Sequence, residues 1–529
     1  MQSELNKGKK LWKGALYLSL AAVVIKILSA IYRVPFQNIV GDVGFYVYQQ
    51  IYPIYGVAVA LSTYGFPIII SRLISERKNE RHTIIKSAFW SLLTFSFLGF
   101  ILIYFTTPTL AKYMGDENLE TPLRAVSFIF FIIPFLSVLR GFFQGQGEML
   151  PTAVSQVSEQ FSRVCAILFV TYIFIINGYG PYAAGTGAAI ASIIGGVIGF
   201  FVLLFYYQKY KKTDPPLYNK RISMDIVKII FIQGIMVCLS SLLLIIFQLI
   251  DSITVLRILL ENGVALEVAK ISKGVFDRGQ PLVQMGTVIT TSFSLIIVPL
   301  IAKVNLEGKQ DLVKKYSGLA FRISFLIGAA ASIGLAVIID PTNVMLFKDN
   351  KDYVVLGTMG IAIFFTSVFL TTSAILHGLN KVYVTVVHVI VGLLVKLILN
   401  LWLIPVHGTL GAAMATVISC AICASLNFYV LRKINVLPAI QYPRAIKTIF
   451  SLVVMGLVTF IWKQSSFIIF SDLVYSRIGN AFIAISSVTI GVFILLVLMI
   501  INKLFSEDEL EHIPKIRKLA AFMQSKNST

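Results

Sequence analysis

Lys26, Arg33, Arg124, Arg163, Lys273, Arg278 and Lys396 stand in stretches otherwise almost free of charge, and only Glu159, Asp251 and Asp277 accompany them at comparable depth. A cation at the centre of a membrane helix costs roughly 2.5–3.5 kcal/mol on insertion scales, so such residues face protein, water or ligand rather than lipid. An interior with more fixed cations than anions attracts an anionic solute and repels a cationic one. Arg33 is followed by Pro35, and Arg278 sits in Asp277-Arg278-Gly279-Gln280-Pro281, so each guanidinium is expected where a proline distorts a spanning helix. Broken helices at membrane depth are tolerated where they line a cavity or are buried in protein. Two guanidinium forks facing one cleft suit a phosphate or pyrophosphate, whose oxygens match their planar donors.

Each of these residues also has a purely structural reading. Arg33 can pair with Asp251 across a lobe boundary. Glu159 and Arg163 are i,i+4 in the favourable order, and Lys273 and Asp277 are also i,i+4, so either can be a structural pair within one helix. Arg124 lies near the outer start of its span, where it is expected to snorkel to the surface, and Lys26 has a stem long enough to reach a cavity from mid-helix. Tyr48, Tyr52 and Tyr55 follow i, i+4, i+7, with Gln49 beside them and Pro53 between. Such a face can hold sugar rings; an interfacial aromatic belt accounts equally for Tyr46 and Tyr48.

The elements that must position these side chains are membrane helices. Of 529 residues, 57% are hydrophobic and 13% charged, and the mean hydropathy of +0.84 excludes a soluble globular protein. At roughly 20 apolar residues per 30 Å crossing, charge-poor windows give about fourteen spans, centred near residues 25, 57, 96, 133, 164, 195, 237, 286, 328, 365, 394, 421, 453 and 490. Lys and Arg outnumber Asp and Glu by 45 to 25. Placing the N-terminus in the cytoplasm puts most of the basic residues inside, among them Arg72, Arg77, Lys78, Arg81 and Lys86, then Lys209, Lys211, Lys212, Lys220 and Arg221, while Asp116, Glu117 and Glu120 form an acidic outer loop. The surplus therefore reads as membrane orientation, with no nucleic acid as partner. Lys7 to Lys13 before an apolar stretch resemble a signal sequence, but with no small-residue cleavage site they read as an uncleaved first helix. Cys165, Cys238, Cys420 and Cys423 all lie in apolar runs, and the Cys420/Cys423 pair has no further ligands in its segment, so it reads as helix packing rather than a metal site.

The two halves repeat. Gln144-Gly145, Arg163 and Gly187-Ala188-Ala189-Ile190-Ala191 correspond to His377-Gly378, Lys396 and Gly411-Ala412-Ala413-Met414-Ala415, the first two pairs sharing an offset of about 233 residues. The fold class expected is an all-α integral membrane protein with two pseudo-symmetric six-helix lobes plus two C-terminal helices. Residues 1–208 would form the N-lobe, 209–222 a basic cytoplasmic linker, 223–433 the C-lobe, 434–503 the last two spans and 504–529 a cytoplasmic amphipathic tail. Parallel repeats of this kind place a transporter's substrate site between lobes.

Lys26-Ile27-Leu28-Ser29-Ala30-Ile31-Tyr32-Arg33-Val34-Pro35, Gln248-Leu249-Ile250-Asp251-Ser252 and Asp277-Arg278-Gly279-Gln280-Pro281-Leu282-Val283-Gln284, within the six, six and two arrangement, give a chain that resembles the lipid-linked oligosaccharide flippases of the multidrug/oligosaccharidyl-lipid/polysaccharide exporter superfamily. The similarity is greatest to the stage V sporulation protein B and YabM/YtgP branch, related to MurJ. The resemblance implies that Arg33 and Arg278 line a central cationic cavity. Two departures stand out. A further cavity arginine of the family, on the inner part of helix two, has Tyr64 and apolar neighbours in its place, with Arg72 at the cytoplasmic end. The sodium site that some MurJ-like proteins build from acids on helices seven and eleven meets Lys396 and no acid on helix eleven, and no acid in the middle of helix seven. A fixed ammonium there would replace the ion.

The function expected is export of an undecaprenyl-pyrophosphate-linked saccharide, lipid II or a surface-polysaccharide precursor, from the inner to the outer leaflet of a bacterial cell membrane by alternating access. Both termini would be cytoplasmic. Lys26, Arg33, Tyr52, Tyr55, Arg163, Asp251, Asp277, Arg278, Gln280 and Lys396 form the expected substrate site, with no catalytic residue, metal or cofactor. Its partners would be the anionic lipid-linked saccharide, membrane lipids and proteins of cell-wall or polysaccharide synthesis. No GxxxxGK[ST] is present, which argues against ATP hydrolysis. Two alternatives remain. A multidrug exporter of the same superfamily would want twelve spans and an acid-rich pocket, and a glycosyltransferase or polysaccharide polymerase would want reactive groups in a substantial outer loop, where Arg257 and Glu261 are the strongest pair.

Overall fold

The computed structural model describes residues 2–211, 221–438, 442–470 and 475–505, so part of the basic linker and the tail beyond Phe505 lie outside the described residues. Among the described residues every regular element is helical. In chain order they are α1 (Gln2–Ile31), α2 (Arg33–Ala60), α3 (Phe66–Glu76), α4 (Arg81–Tyr113), α5 (Glu120–Ser127), α6 (Ile133–Gly145), α7 (Leu150–Ile176), α8 (Gly180–Lys211), α9 (Met224–Ser241) and α10 (Leu243–Glu261). There follow α11 (Leu266–Asp277), α12 (Gly279–Gly286), α13 (Val288–Leu306), α14 (Gln310–Val337), α15 (Ile339–Phe347), α16 (Tyr353–Gly378), α17 (Val382–His407), α18 (Thr409–Lys433), α19 (Tyr442–Ile469) and α20 (Arg477–Ile501).

Among the described residues, fourteen helical stretches are long and apolar enough to cross a bilayer. Their apportionment differs from the sequence reading. Tyr17–Glu76 runs as one stretch of 60 residues, about 90 Å at 1.5 Å per residue and so long enough for two crossings. Residues 224–261 make two stretches divided only at Leu242.

The prolines set the breaks. Pro35 lacks the N–H that would bond the carbonyl of Ile31, and Pro281 the N–H for Asp277. Ile31 is the last residue of α1 and Asp277 the last of α11. Each helix therefore stops four residues before a proline, leaving Tyr32 and Arg278 as one-residue hinges. A second interruption falls at Gly41, whose φ of 69° and ψ of −173° take the chain out of α2's helical path between the first two spans. That φ favours glycine. Beyond α2, a π turn at Leu61–Gly65 leads into α3.

Two compact units divide the chain. One comprises Met1–Val288 and Asn380–Cys423, the other Ile289–Leu379 and Ala424–Thr529. Within the first, Tyr32, Phe36, Phe45 and Tyr48 pack on Ile167 of α7 and on Ala184, Ala188 and Ala191 of α8. Small side chains on α8 let the helices approach closely, as membrane helix packing requires. Within the second, Leu319, Ile323 and Leu326 of α14 pack with Leu452 of α19 and with Leu504 and Phe505. Hydroxyl pairs stitch helices there: Thr290 Oγ1 donates to Ser367 Oγ at 3.1 Å, and Ser294 Oγ meets Thr371 Oγ1 at 3.2 Å.

Candidate substrate-binding site

Arg33 opens α2 immediately after the Tyr32 hinge, and it is fully buried. Its guanidinium carbon lies 4.3 Å from the centroid of the Tyr52 ring, yet Nε, Nη1 and Nη2 have no hydrogen-bond partner among the described residues. Arg163, from the middle of α7, is buried between two rings, 4.7 Å from the centroid of Tyr55 and 5.3 Å from that of Tyr32, and its Nε and Nη1 are likewise unpartnered. The i, i+4, i+7 ladder is present: Tyr48 and Tyr52 have centroids 5.8 Å apart, Tyr52 and Tyr55 6.0 Å. The Tyr32 and Tyr48 hydroxyls meet at 2.5 Å and tie the ladder to the hinge. Two guanidiniums thus share one set of tyrosines. Lys26 is half-buried on α1, and one turn on, Ser29 Oγ accepts from Gln160 Nε2 of α7 at 2.8 Å.

Stacking does not satisfy these cations. A desolvated cation–π contact contributes about 2 kcal/mol, whereas removing an ion from water costs several kcal/mol unless its hydrogen bonds are replaced. Oxygen acceptors of an anion fit the remaining donors.

The other intramembrane charges are neutralised within the chain. Lys273 Nζ contacts Asp277 Oδ1 and Oδ2 at 2.6 and 2.7 Å, the i,i+4 pair expected. Arg278 pairs with Asp42, its Nε 3.1 Å from Oδ1, and Gln37 Nε2 donates to the same oxygen at 2.9 Å. Gln280 Oε1 accepts from Gln248 Nε2 at 2.8 Å. Around this contact α11 presses on the turn after Gly41, since a Cβ on Gly274 would lie 2.2 Å from the Asp42 carbonyl oxygen.

Several expected partnerships are different. Asp251 pairs with Lys396 at 2.7 Å and not with Arg33, because α10 and α17 pack against each other. Glu159 pairs with Arg140 of α6 at 2.5 Å and not with Arg163. Thr63 Oγ1 accepts from the other nitrogen of Arg140 at 3.0 Å, and the Ser62 carbonyl in the π turn at 3.4 Å. Asp116, expected in an exposed loop, is 3% exposed. It accepts from the hydroxyls of Tyr46 and Tyr182 at 3.2 and 2.5 Å, with Lys270 Nζ 3.8 Å away. Arg124 does reach the surface, where it pairs with Glu120 at 2.7 Å. Arg257 and Glu261 pair with each other, exposed, at 2.8 Å.

The sodium that the resemblance implies does not fit. Lys396 Nζ itself lies among the Asp251 carboxylate, the Ala412 carbonyl at 2.9 Å and Thr416 Oγ1 at 2.6 Å. Among the described residues, no three His, Cys, Asp or Glu side chains cluster as a metal site. Cys423 Sγ instead donates to the His388 carbonyl at 3.2 Å. In the second unit, a groove of about 580 Å³ is lined by Phe321, Phe325, Phe364 and Phe428, and four basic residues border it, including Lys314 and Arg444, with no acid.

A profile described as "Polysaccharide biosynthesis protein" matches residues 11–305. Membrane protein YabM of Bacillus subtilis (strain 168) is 37% identical over 519 residues, 97% of each chain. The lipid II flippase MurJ of the same organism is 27% identical, with 80% of this chain and 83% of MurJ aligned. A solved structure of lipid II flippase MurJ in an inward closed conformation superposes with a TM-score of 0.68 at 15% identity, over 92% of this chain and 98% of that one. The fold is thus the MurJ-like one, and the protein is a multi-pass membrane protein. By both the profile and the long alignment, the chain belongs to the polysaccharide biosynthesis protein family, in the MurJ-like branch of the multidrug/oligosaccharidyl-lipid/polysaccharide exporter superfamily of flippases.

Proposed function

We propose that this chain carries an undecaprenyl-pyrophosphate-linked saccharide, lipid II or a surface-polysaccharide precursor, from the inner to the outer leaflet. The observation that carries the reading is the pair of buried, unpartnered guanidiniums of Arg33 and Arg163 on one tyrosine cluster. A pyrophosphate supplies the acceptors that both lack. Tyr52 and Tyr55 present ring faces to the saccharide, and Lys26 adds charge along α1. The carrier's head group cannot cross hydrocarbon unaided, because its charges and hydroxyls would lose water without replacement.

Arg278 has a different part. Its pair with Asp42 and the contact of Gly274 on the Asp42 carbonyl join α11 to the turn after Gly41, between the first two spans. With the basic loops inside, this is the outer end, and the pair must separate for release outward. Two six-helix lobes, residues 1–208 and 223–433, rock about the site as the pair opens. Both termini are cytoplasmic. The phenylalanine groove under its basic border suits the acyl chains of an anionic membrane lipid. An inside-negative potential favours outward movement of negative charge by roughly 2.3 kcal/mol per charge per 100 mV.

A multidrug exporter for cationic compounds is disfavoured, since an unpartnered guanidinium pair repels its cargo. The glycosyltransferase reading loses its best residues, because Arg257 and Glu261 neutralise each other on the surface. The test is complementation of a strain depleted of its lipid II flippase, with Arg33→Ala and Arg163→Ala alongside. Rescue by the wild type and by neither variant supports the reading. A properly inserted wild type that fails redirects it to teichoic-acid, capsule or spore-cortex precursors, and rescue by both variants removes the site.

A further inference from the structure

The ammonium of Lys396 occupies a position built like a monovalent-cation site. Its three N–H donors meet three oxygens: Asp251 Oδ1 at 2.7 Å, the Ala412 carbonyl at 2.9 Å and Thr416 Oγ1 at 2.6 Å. These come from α10 and α18, while Lys396 enters from α17, so the cage is assembled from three helices. A second layer completes it. Asn400 Nδ2, one turn along α17, donates to Asp251 Oδ1 at 2.9 Å and to Thr254 Oγ1 at 2.8 Å. Lys396, Asn400 and Asp251 are each at most 1% exposed. Carboxylate, carbonyl and hydroxyl oxygens are the donor set that hard cations take.

We propose that Lys396 is a permanent internal cation in this cage, so that the chain neither binds nor requires sodium there, in contrast to the ion site implied for some of its relatives. Charge supports it. Asp251 and Lys396 sum to zero, and the next charged pair, Lys273 with Asp277, is also neutral. A sodium ion added beside the ammonium would leave a net positive charge in a buried site with no carboxylate to offset it. Geometry supports it as well. A side chain joined covalently to α17 holds α10 and α18 together at all times, whereas an exchangeable ion would make that bond conditional on concentration. Two oxygens, Asp251 Oδ2 and Asn400 Oδ1, have no hydrogen-bond partner among the described residues. With the ammonium removed they would join the Ala412 carbonyl and Thr416 Oγ1 as ligands for a free ion.

The proposal does not depend on which lipid the protein carries, and its test reads binding rather than transport. Full-length protein in detergent is melted in sodium chloride and in choline chloride at equal ionic strength, and 22Na binding is measured alongside. The wild type is expected to show the same midpoint in both salts and no saturable sodium binding. Lys396→Ala is expected to melt lower in choline and to recover by about 5 °C with saturating sodium, a recovery lost when Asp251→Asn is added. Saturable sodium binding by the wild type, abolished by Asp251→Asn, overturns the proposal. So does a folded Lys396→Ala protein that is indifferent to sodium. Should Lys396→Ala yield no folded protein, the wild-type binding measurement decides alone.

Discussion

Replacing Arg33 by Met separates a binding residue from a structural one by the sign of the stability change. The side chain is fully buried and none of its three nitrogens has a partner. Its burial costs several kcal/mol, and the stack on Tyr52 at 4.3 Å offsets only about 2 kcal/mol. A methionine of similar length fills most of the space without the charge. Arg33→Met should therefore raise stability by about 1–3 kcal/mol while abolishing complementation, the trade expected where a site is held ready for a ligand. Arg140→Met is the control. It strands Glu159, which pairs with Arg140 at 2.5 Å, and should lower stability by about 3–5 kcal/mol. Thermal unfolding in detergent is followed with a thiol-reactive dye. Cys238, Cys420 and Cys423 are buried and become reactive on unfolding, while exposed Cys165 sets the baseline. A midpoint for Arg33→Met that falls as far as that of Arg140→Met refutes the reasoning, because Arg33 would then be holding the fold together.

Arg163→Lys should fail to complement although the charge is kept, since a compact ammonium cannot fill the stack between Tyr32 and Tyr55; full rescue would remove the stack from the mechanism. Gly274→Val should lower the unfolding midpoint, corresponding to about 1–3 kcal/mol, because the obstacle is the Asp42 backbone carbonyl rather than a movable side chain; an unchanged midpoint would mean the contact between α11 and this turn is loose. Asp340→Asn leaves the buried Lys463 ammonium, now 3.0 Å from Asp340 Oδ2, without its carboxylate. With Asp340 partly exposed, solvent reduces the loss to about 1–2 kcal/mol, read from the same melts. Complementation by the wild type should persist when sodium in the medium is replaced by choline, and strict sodium dependence would contradict the Lys396 cage.

The helices, and the cations within them, were legible because both signals are local. A run of apolar residues identifies a crossing, and a charge inside that run is conspicuous at once. The proline breaks were legible for the same reason, down to the hinge at Arg278, since Pro35 and Pro281 each remove one particular N–H from the helix before them. The partners were not legible. Asp42 and Asp116 lie at turns between spans, where an acid is unremarkable, and only the fold brings them to Arg278 and to Tyr46, Tyr182 and Lys270. Arg140 drew no reading from the sequence, because only the fold brings the π turn at Leu61–Gly65, with the Ser62 carbonyl and Thr63, to it. The i,i+4 rule placed Lys273 on Asp277 correctly and Glu159 on Arg163 incorrectly. For Glu159 a neighbouring helix offered a better fork.

The positions of the carboxylates decide which cations remain available to a ligand. Sequence alone makes Arg33 and Arg278 look equivalent, each beside a proline break with one in either half. The fold makes them unlike. Lys273 on α11 and Lys396 on α17 each have a carboxylate within 3 Å, Asp277 and Asp251 respectively, and Arg278 at the end of α11 has Asp42. On α1, α2 and α7, Lys26, Arg33 and Arg163 have no such carboxylate among the described residues, and Glu159 of α7 is held by Arg140. An anionic head group drawn to this interior would therefore meet its strongest attraction on the α1, α2 and α7 side, where the tyrosine ladder also lies. It follows that adding a carboxylate there, as in Tyr52→Glu beside Arg33, should inactivate the protein as effectively as deleting the arginine. Placing the same acid at Gln248, on the neutralised side, should leave activity largely intact. Equal loss from both substitutions, with both proteins folded, would show that the two sides contribute alike.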